Sequence, residues 1–183
     1  MKEGYTRVTE LLKPWSTFGS IPQEVLDNKA EIGTNVHSAI NSHILGLPVP
    51  HMTEREQGYF ESYLRWEAER NPVYAMTEER FYDDELMLTG QVDGIVSIQG
   101  LPGAYIIDFK TSAAPRPKDW PIQIGWYYLL AVHNGHNVSR NGYMLQLKDT
   151  GGKAKEYVYE IDGELIDTCM AIYNAYNYFR GKK

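Results

Sequence analysis

Two carboxylates and one lysine have types and spacing that could do chemistry. Asp93 is the one acidic residue in the otherwise apolar run Thr89-Gly-Gln-Val-Asp-Gly-Ile-Val-Ser97. Asp108 and Lys110 lie near the end of Ala104-Tyr-Ile-Ile-Asp-Phe-Lys-Thr-Ser112. Strand alternation puts Asp108 and Lys110 on one face and Ile107 and Phe109 on the other. The turn signal Gly100-Leu-Pro-Gly103 could fold the two runs into a hairpin and bring Asp93 beside Asp108. Two ionised carboxylates at close range repel, and burying them is costly. A divalent cation removes both problems, and carboxylates, a carbonyl and water are the ligands Mg²⁺ and Mn²⁺ prefer. A lysine beside such a site can hold or activate an attacking water and stabilise charge developing around phosphorus. Taken alone, Asp-x-Lys is weak evidence, because it occurs by chance in many proteins and a surface salt bridge at a strand end would explain it.

The elements that must position these residues follow from periodicity. Thr6 to Leu12 predicts a short helix. Ile21 to about Leu45 has helical spacing, interrupted at Gly33-Thr34, where a break into two helices could fall. Thr53 to about Arg70 is the clearest helix, opened by a Thr53/Glu56 capping box and stopped by Asn71-Pro72. Thr77–Tyr82 and Glu85–Thr89 read as strands around an Asp83-Asp84 turn. Gln91–Gln99 and Tyr105–Lys110 are the next strands. A helix from Trp120 to about His133 follows, then strands at Gly142–Leu147 and Glu156–Ile161, then a helix from Gly163 to Arg180. The order predicts an α/β fold, a central mixed β-sheet flanked by α-helices. It divides into an N-terminal helical part, about 1–72, and a part with the sheet and later helices, about 73–183.

Composition bounds the rest. The chain has 183 residues with 43% hydrophobic content, which suits a single folded domain. No apolar run approaches the ~18 residues that span a bilayer, and the N-terminus lacks an apolar signal segment. A soluble, cytoplasmic protein with no membrane association is the simplest expectation. One cysteine, Cys169, allows neither an internal disulfide nor an iron–sulfur cluster, and its apolar setting predicts a buried helix residue. A net charge of −6 counts against a surface that coats nucleic acid generally, but not against a local basic patch. His43, His51, His133 and His136 carry no motif. Tyr173, Tyr176, Tyr178 and Phe179 read as a helix packing face.

Gly90-Gln-Val-Asp93 followed by Ile107-Asp-Phe-Lys-Thr111 resembles the PD-(D/E)XK nuclease superfamily, in particular its RecB-like and phage exonuclease branch. Gly33-Thr-Asn-Val-His37 is similar to that branch's helical histidine motif. Gln123-Ile-Gly-Trp-Tyr127 is similar to the Gln-x-x-x-Tyr helix that follows its catalytic strand. The opening Tyr5-Thr-Arg-Val-Thr-Glu-Leu-Leu12 also looks like the start of phage members. The matching pieces run in the family's order from about residue 5 to 128. Val92 stands where a proline often precedes the first carboxylate.

The resemblance implies a restriction-endonuclease-like core and one or two Mg²⁺ or Mn²⁺ ions. Asp93, Asp108, His37 and the Phe109 backbone carbonyl would be the metal ligands. Lys110 would act on the attacking water, and Gln123 and Tyr127 would position DNA or support Lys110. Glu78 could match an acidic residue of the preceding strand, with Glu79 an equal choice. Arg116 and Lys118, in the loop after the catalytic strand, could touch DNA phosphates, or the loop could simply be solvated.

The function implied is a metal-dependent DNA exonuclease of phage recombination, replication or repair type. It would work in the host-cell cytoplasm, with a ring-like homo-oligomer or a single-strand annealing protein supplying processivity. A structure- or site-specific endonuclease and a non-catalytic DNA-binding or assembly module are the alternatives.

Overall fold

A computed structural model describes residues 2–15 and 22–181. The order is β1 (Thr6–Arg7), α1 (Val8–Leu12), a 3-10 turn, α2 (Gln23–Ile44), α3 (Glu54–Arg70), β2 (Val73–Asp83), β3 (Leu88–Ser97), β4 (Tyr105–Lys110), α4 (Asp119–His133), β5 (Asn141–Gln146), β6 (Lys155–Glu160) and α5 (Gly163–Arg180). β2, β3 and β4 form an antiparallel meander. α4 then crosses over so that β5 lies parallel to β4, and β6 returns antiparallel. The six-stranded sheet is mixed, as the order of elements predicts.

The central strands β3, β4 and β5 are buried on both faces, and residue alternation explains how. Ile106 and Met144 point to one side and pack with α1, α4 and α5 through Leu11, Trp120, Trp126, Leu130 and Cys169. Ile107, Phe109, Tyr143 and Leu145 point to the other, against α2 and α3 through Val36, Ile40, Phe60, Tyr63 and Trp66. Helices on both faces account for strands such as Tyr105–Phe109 that are apolar at nearly every position.

Several boundaries differ from the expected ones. α2 runs unbroken through Gly33-Thr34. Gly33 costs helix propensity, but only by about 1 kcal/mol, which the packing of the rest of α2 outweighs. Thr34 returns its hydroxyl to the Ala30 carbonyl at 3.0 Å within the helix. The expected start at Ile21 lies outside the described residues. Thr6 and Arg7 form a strand parallel to β3 before the short helix begins at Val8. The two strands expected over 85–99 are one, β3, so the turn between β2 and β3 is later than expected. Asp83 Oδ1 caps that turn by accepting from the backbone N–H groups of Glu85 and Leu86. α3 keeps its predicted capping box, and Asn71 closes it in the left-handed conformation at φ 43°. No described helix is long and apolar enough to cross a membrane.

One topological detail creates the site. β2 lines one edge of β3 along most of its length, whereas β1 and β4 share the other edge. β1 pairs with Leu88 and Thr89, and β4 pairs with Gly94 to Val96. Between Thr89 and Gly94 the sheet opens on that edge.

Candidate active site

Asp93 sits at the margin of this opening. The pairing of Gly94 with Ile107 places Asp93 across from Asp108. Here the ladder gives way to side chains: the Phe109 backbone N–H donates to Asp93 Oδ2 at 2.6 Å. Thr77 and Glu79 of β2 pair with Gly94 and Val92, which leaves Glu78 across from Asp93 on the opposite edge. Three neighbouring strands therefore bring Glu78, Asp93 and Asp108 into one row. Glu78 has φ +53°, a left-handed conformation inside a strand. Its carboxylate is half-buried toward His37, while Glu79 stays exposed, so Glu78 is the residue that joins the cluster.

His37 arrives from α2. Its Nδ1 is 3.1 Å from Asp93 Oδ1 and its Nε2 is 3.1 Å from the Phe109 carbonyl oxygen. Burial works to lower its pKa, but the Asp93 carboxylate, with Asp108 and Glu78 behind it, raises the group from 6.5 to about 9. Both neighbours are acceptors, so an imidazolium with two N–H donors satisfies both contacts. Its single positive charge then lies among carboxylates and a carbonyl, a donor set that also suits a divalent cation.

Lys110 and Asp108 share a face, as alternation requires. Lys110 Nζ lies 2.5 Å from Asp108 Oδ2 and donates to Gln123 Oε1 at 2.9 Å. Gln123 Nε2 is 3.4 Å from Asp108 Oδ1 and 2.9 Å from the Tyr127 hydroxyl, which orders the α4 pair one turn apart against the strand. Tyr127 packs on Gly90. A Cβ at Gly90 would lie 2.9 Å from Tyr127 Cε1, so the glycine leaves space for the ring.

The two facing aspartates differ electrostatically. Burial pushes Asp108 up, Lys110 opposes it, and the Asp93 charge adds to burial, so Asp108 stands at about 6. Burial also acts on Asp93, but His37 and Lys110 outweigh it and hold its carboxyl below the usual range. Glu78 is raised, by burial and by Asp93. The donor set fits a hard divalent cation. His37, Glu78 and Asp93 offer ligand atoms all within 4.8 Å of one another; the Phe109 carbonyl touches His37, while Asp108 stands outside that group on the neighbouring strand, close enough for its charge to act on His37.

Of the two loop cations, Arg116 lines a hollow of about 360 Å³ with Lys110, Ser112, Trp120 and Gln123, and it pairs with Asp119. Lys118 is exposed at the start of α4 and does not line that hollow. Sequence reasoning gave no role to Arg80 and Gln91, which adjoin Glu78. The signal available was the position of Gln91 two residues before Asp93, on the same strand face.

The remaining expectations divide. Cys169 is buried in α5, as expected. Tyr173 and Tyr176 face the core, but Tyr178 and Phe179 are exposed, because a helix cannot turn four such closely spaced positions to one side. His43, which carries no motif, ties α2 to α3: its Nε2 lies 2.7 Å from Glu67 Oε2.

Solved structures share this architecture. The crystal structure of SSO0001 aligns with 100% of this chain and 79% of its own at TM-score 0.52 and 16% identity. A proposed exonuclease from Eubacterium rectale aligns over 97% of this chain and 79% of its own, at TM-score 0.59 and 11% identity. LHK-Exo, in complex with dAMP, aligns over 96% and 87%, at TM-score 0.52 and 13% identity. At these identities the likeness is one of fold. No curated protein sequence matches the chain significantly. The model of the PD-(D/E)XK nuclease superfamily matches residues 9–165, a span that holds the whole cluster from His37 to Tyr127, and the chain belongs to that superfamily.

Proposed function

We propose that the protein is a metal-dependent DNA exonuclease that hydrolyses phosphodiester bonds. The observation that carries this reading is the alignment of Asp93 with Asp108 across β3 and β4, with Lys110 bridging Asp108 to Gln123. An exonuclease rather than an endonuclease is supported by the two exonucleases among the structures of like fold, and DNA as substrate by the deoxynucleotide bound to LHK-Exo.

Asp93, Asp108, His37, the Phe109 carbonyl and Glu78 would hold Mg²⁺ or Mn²⁺. Such an ion supplies Lewis-acid stabilisation of charge on the leaving oxygen. The chain's own groups do the rest. The Lys110 ammonium, fixed between Asp108 and Gln123, is placed to orient a water and to offset charge on the phosphoryl oxygens. Gln123 accepts from Lys110, and the Tyr127 hydroxyl accepts from Gln123. Arg116, at the rim of the adjoining hollow, would meet a neighbouring phosphate, with Lys118 further out. A role in phage recombination, replication or repair fits an enzyme of this kind. A single-strand annealing protein or a homo-oligomer would be its partner, in the cytoplasm of the host.

The test is cleavage of end-labelled linear DNA, single- and double-stranded, beside a closed circle, in Mg²⁺ or Mn²⁺. Metal-dependent loss of linear DNA alone, abolished in Lys110→Ala, is the expected result. Cutting of the circle would replace the exonuclease by an endonuclease. No cleavage of any substrate would overturn the enzymatic reading in favour of a binding module.

A further inference from the structure

Glu78 is held by a short chain of contacts on β2 and β3. Gln91 Nε2 donates to Glu78 Oε2 at 2.5 Å, and Gln91 Oε1 accepts from Arg80 Nη2 at 2.5 Å. Arg80 pairs directly with Gln91 across the ladder, and Glu78 and Arg80 stand two residues apart on β2. The chemistry fixes the direction of every contact. An ionised carboxylate only accepts and a guanidinium only donates, so the Gln91 amide must turn its nitrogen to Glu78 and its oxygen to Arg80. A side chain with a donor and an acceptor on one rigid plane is what this place needs.

The clamp acts on a residue that needs one. Glu78 is the one described non-glycine residue with positive φ inside a strand, the others, Asn71 and Met87, lying at a helix end and a turn. Such a conformation persists where the surroundings hold it. Its effect is directional: Glu78 Oε2 is taken by Gln91, and Glu78 Oε1 is left 3.8 Å from His37 Nδ1, facing Asp93.

We infer that Gln91, itself fixed by Arg80, is a positioning residue that aims Glu78 as a third carboxylate at the cation site. This rests on the metal-dependent reading proposed above. Gln91 touches neither ion nor substrate; it sets how tightly the site holds its ion. Partners of metal ligands at this remove typically change metal affinity by about 10- to 100-fold.

The test measures Mn²⁺ binding to the full chain without DNA, by the loss of the free-ion signal in electron paramagnetic resonance. The variants are Gln91→Leu, Glu78→Gln and the double variant. Gln91→Leu should weaken Mn²⁺ binding by about tenfold, while its melting temperature without metal stays near that of the wild type. Its metal requirement for cleavage should rise by the same factor, with most of the rate recovered at saturating Mn²⁺. The double variant should bind no more weakly than Glu78→Gln alone, because Gln91 acts through Glu78. Unchanged Mn²⁺ affinity in Gln91→Leu, or losses that add in the double variant, would overturn the inference and leave the nuclease reading standing. Wild-type protein that binds Mn²⁺ but cleaves no DNA, with binding weakened in Gln91→Leu, would overturn the nuclease reading and leave the clamp standing.

Discussion

Asp93 and Asp108 face one another across β3 and β4, yet they are held in opposite directions from the ordinary carboxylate range. Burial acts on both. His37 adjoins Asp93 and wins there, whereas Lys110 only partly offsets burial at Asp108, which stays at about 6. Without a divalent ion two cations, the His37 imidazolium and the Lys110 ammonium, offset part of the charge of the three carboxylates. A divalent ion held by these carboxylates would compete with the first.

This gives a pH dependence with a definite sign. His37 has its pKa raised from 6.5 to about 9, so in metal-free protein it contributes stability that is fully present below 6.5 and lost as pH rises through 9. The upper bound by linkage is about 3 kcal/mol. Thermal melts in a chelator should show the melting temperature falling between pH 6.5 and 9, and His37→Ala should flatten that fall. Mn²⁺ should bind more tightly at pH 9 than at pH 6.5, with proton release measurable by calorimetry in buffers of different ionisation enthalpy. A melting temperature that rises with pH in this window would refute the assignment.

Lys110→Ala should lower the cleavage rate by about 10²- to 10³-fold, the usual cost of removing one preorganised charge-stabilising donor. The protein should remain folded, with Asp108 then deprived of its nearest cation. Gln123→Ala should have a smaller effect in the same direction, because Lys110 keeps its contact with Asp108. Single-turnover rates at saturating metal separate the two. Equal losses would mean that Gln123 acts on the substrate directly.

Gly90→Ala should cost about 1–3 kcal/mol through overpacking. The added Cβ would lie 2.9 Å from both Tyr127 Cε1 and Leu130 Cδ1. Tyr127 supports Gln123, and Gln123 supports Lys110, so cleavage should fall along with stability. Denaturant titration beside a rate assay checks this, and a variant with wild-type stability would show that the Tyr127 ring gives way freely.

Cys169 is buried, and burial pushes its thiol up to about 12. It should not react with a thiol reagent such as Ellman's at pH 8 in the folded state, and should react fully once denaturant unfolds the chain. The labelling midpoint should coincide with the loss of helical circular dichroism. Fast labelling in native buffer would mean that α5 opens locally from α4.

Much of the site was legible in the sequence because it rests on local rules. Strand alternation joins Asp108 to Lys110, the spacing of one helical turn joins Gln123 to Tyr127, and Gly100-Leu-Pro-Gly103 folds Asp93 back onto Asp108. The capping box of α3 and the mixed sheet follow from rules of the same kind. Where local signals pointed wrongly, long-range packing had prevailed. α2 continues through Gly33 because the burial of Val36, Ala39 and Ile40 against the sheet outweighs the propensity cost of one glycine, and β3 runs as one strand because β2 pairs along it from Val73 to Asp83.

Only the tertiary structure decided what depends on meetings between distant segments. His37 reaches Asp93 and the Phe109 carbonyl because α2 packs over the end of β4. Glu78 rather than Glu79 enters the row because its backbone turns left-handed inside β2. β1 and β4 share one edge of β3 and leave a gap at Asp93, so that side chains there take over the hydrogen bonds a continuous ladder would have used. Sequence fixes residue types and near neighbours through the periods of strand and helix. The gap, the charge balance around it and the contacts that hold Glu78 arise from how three strands and two helices meet, which no local period encodes.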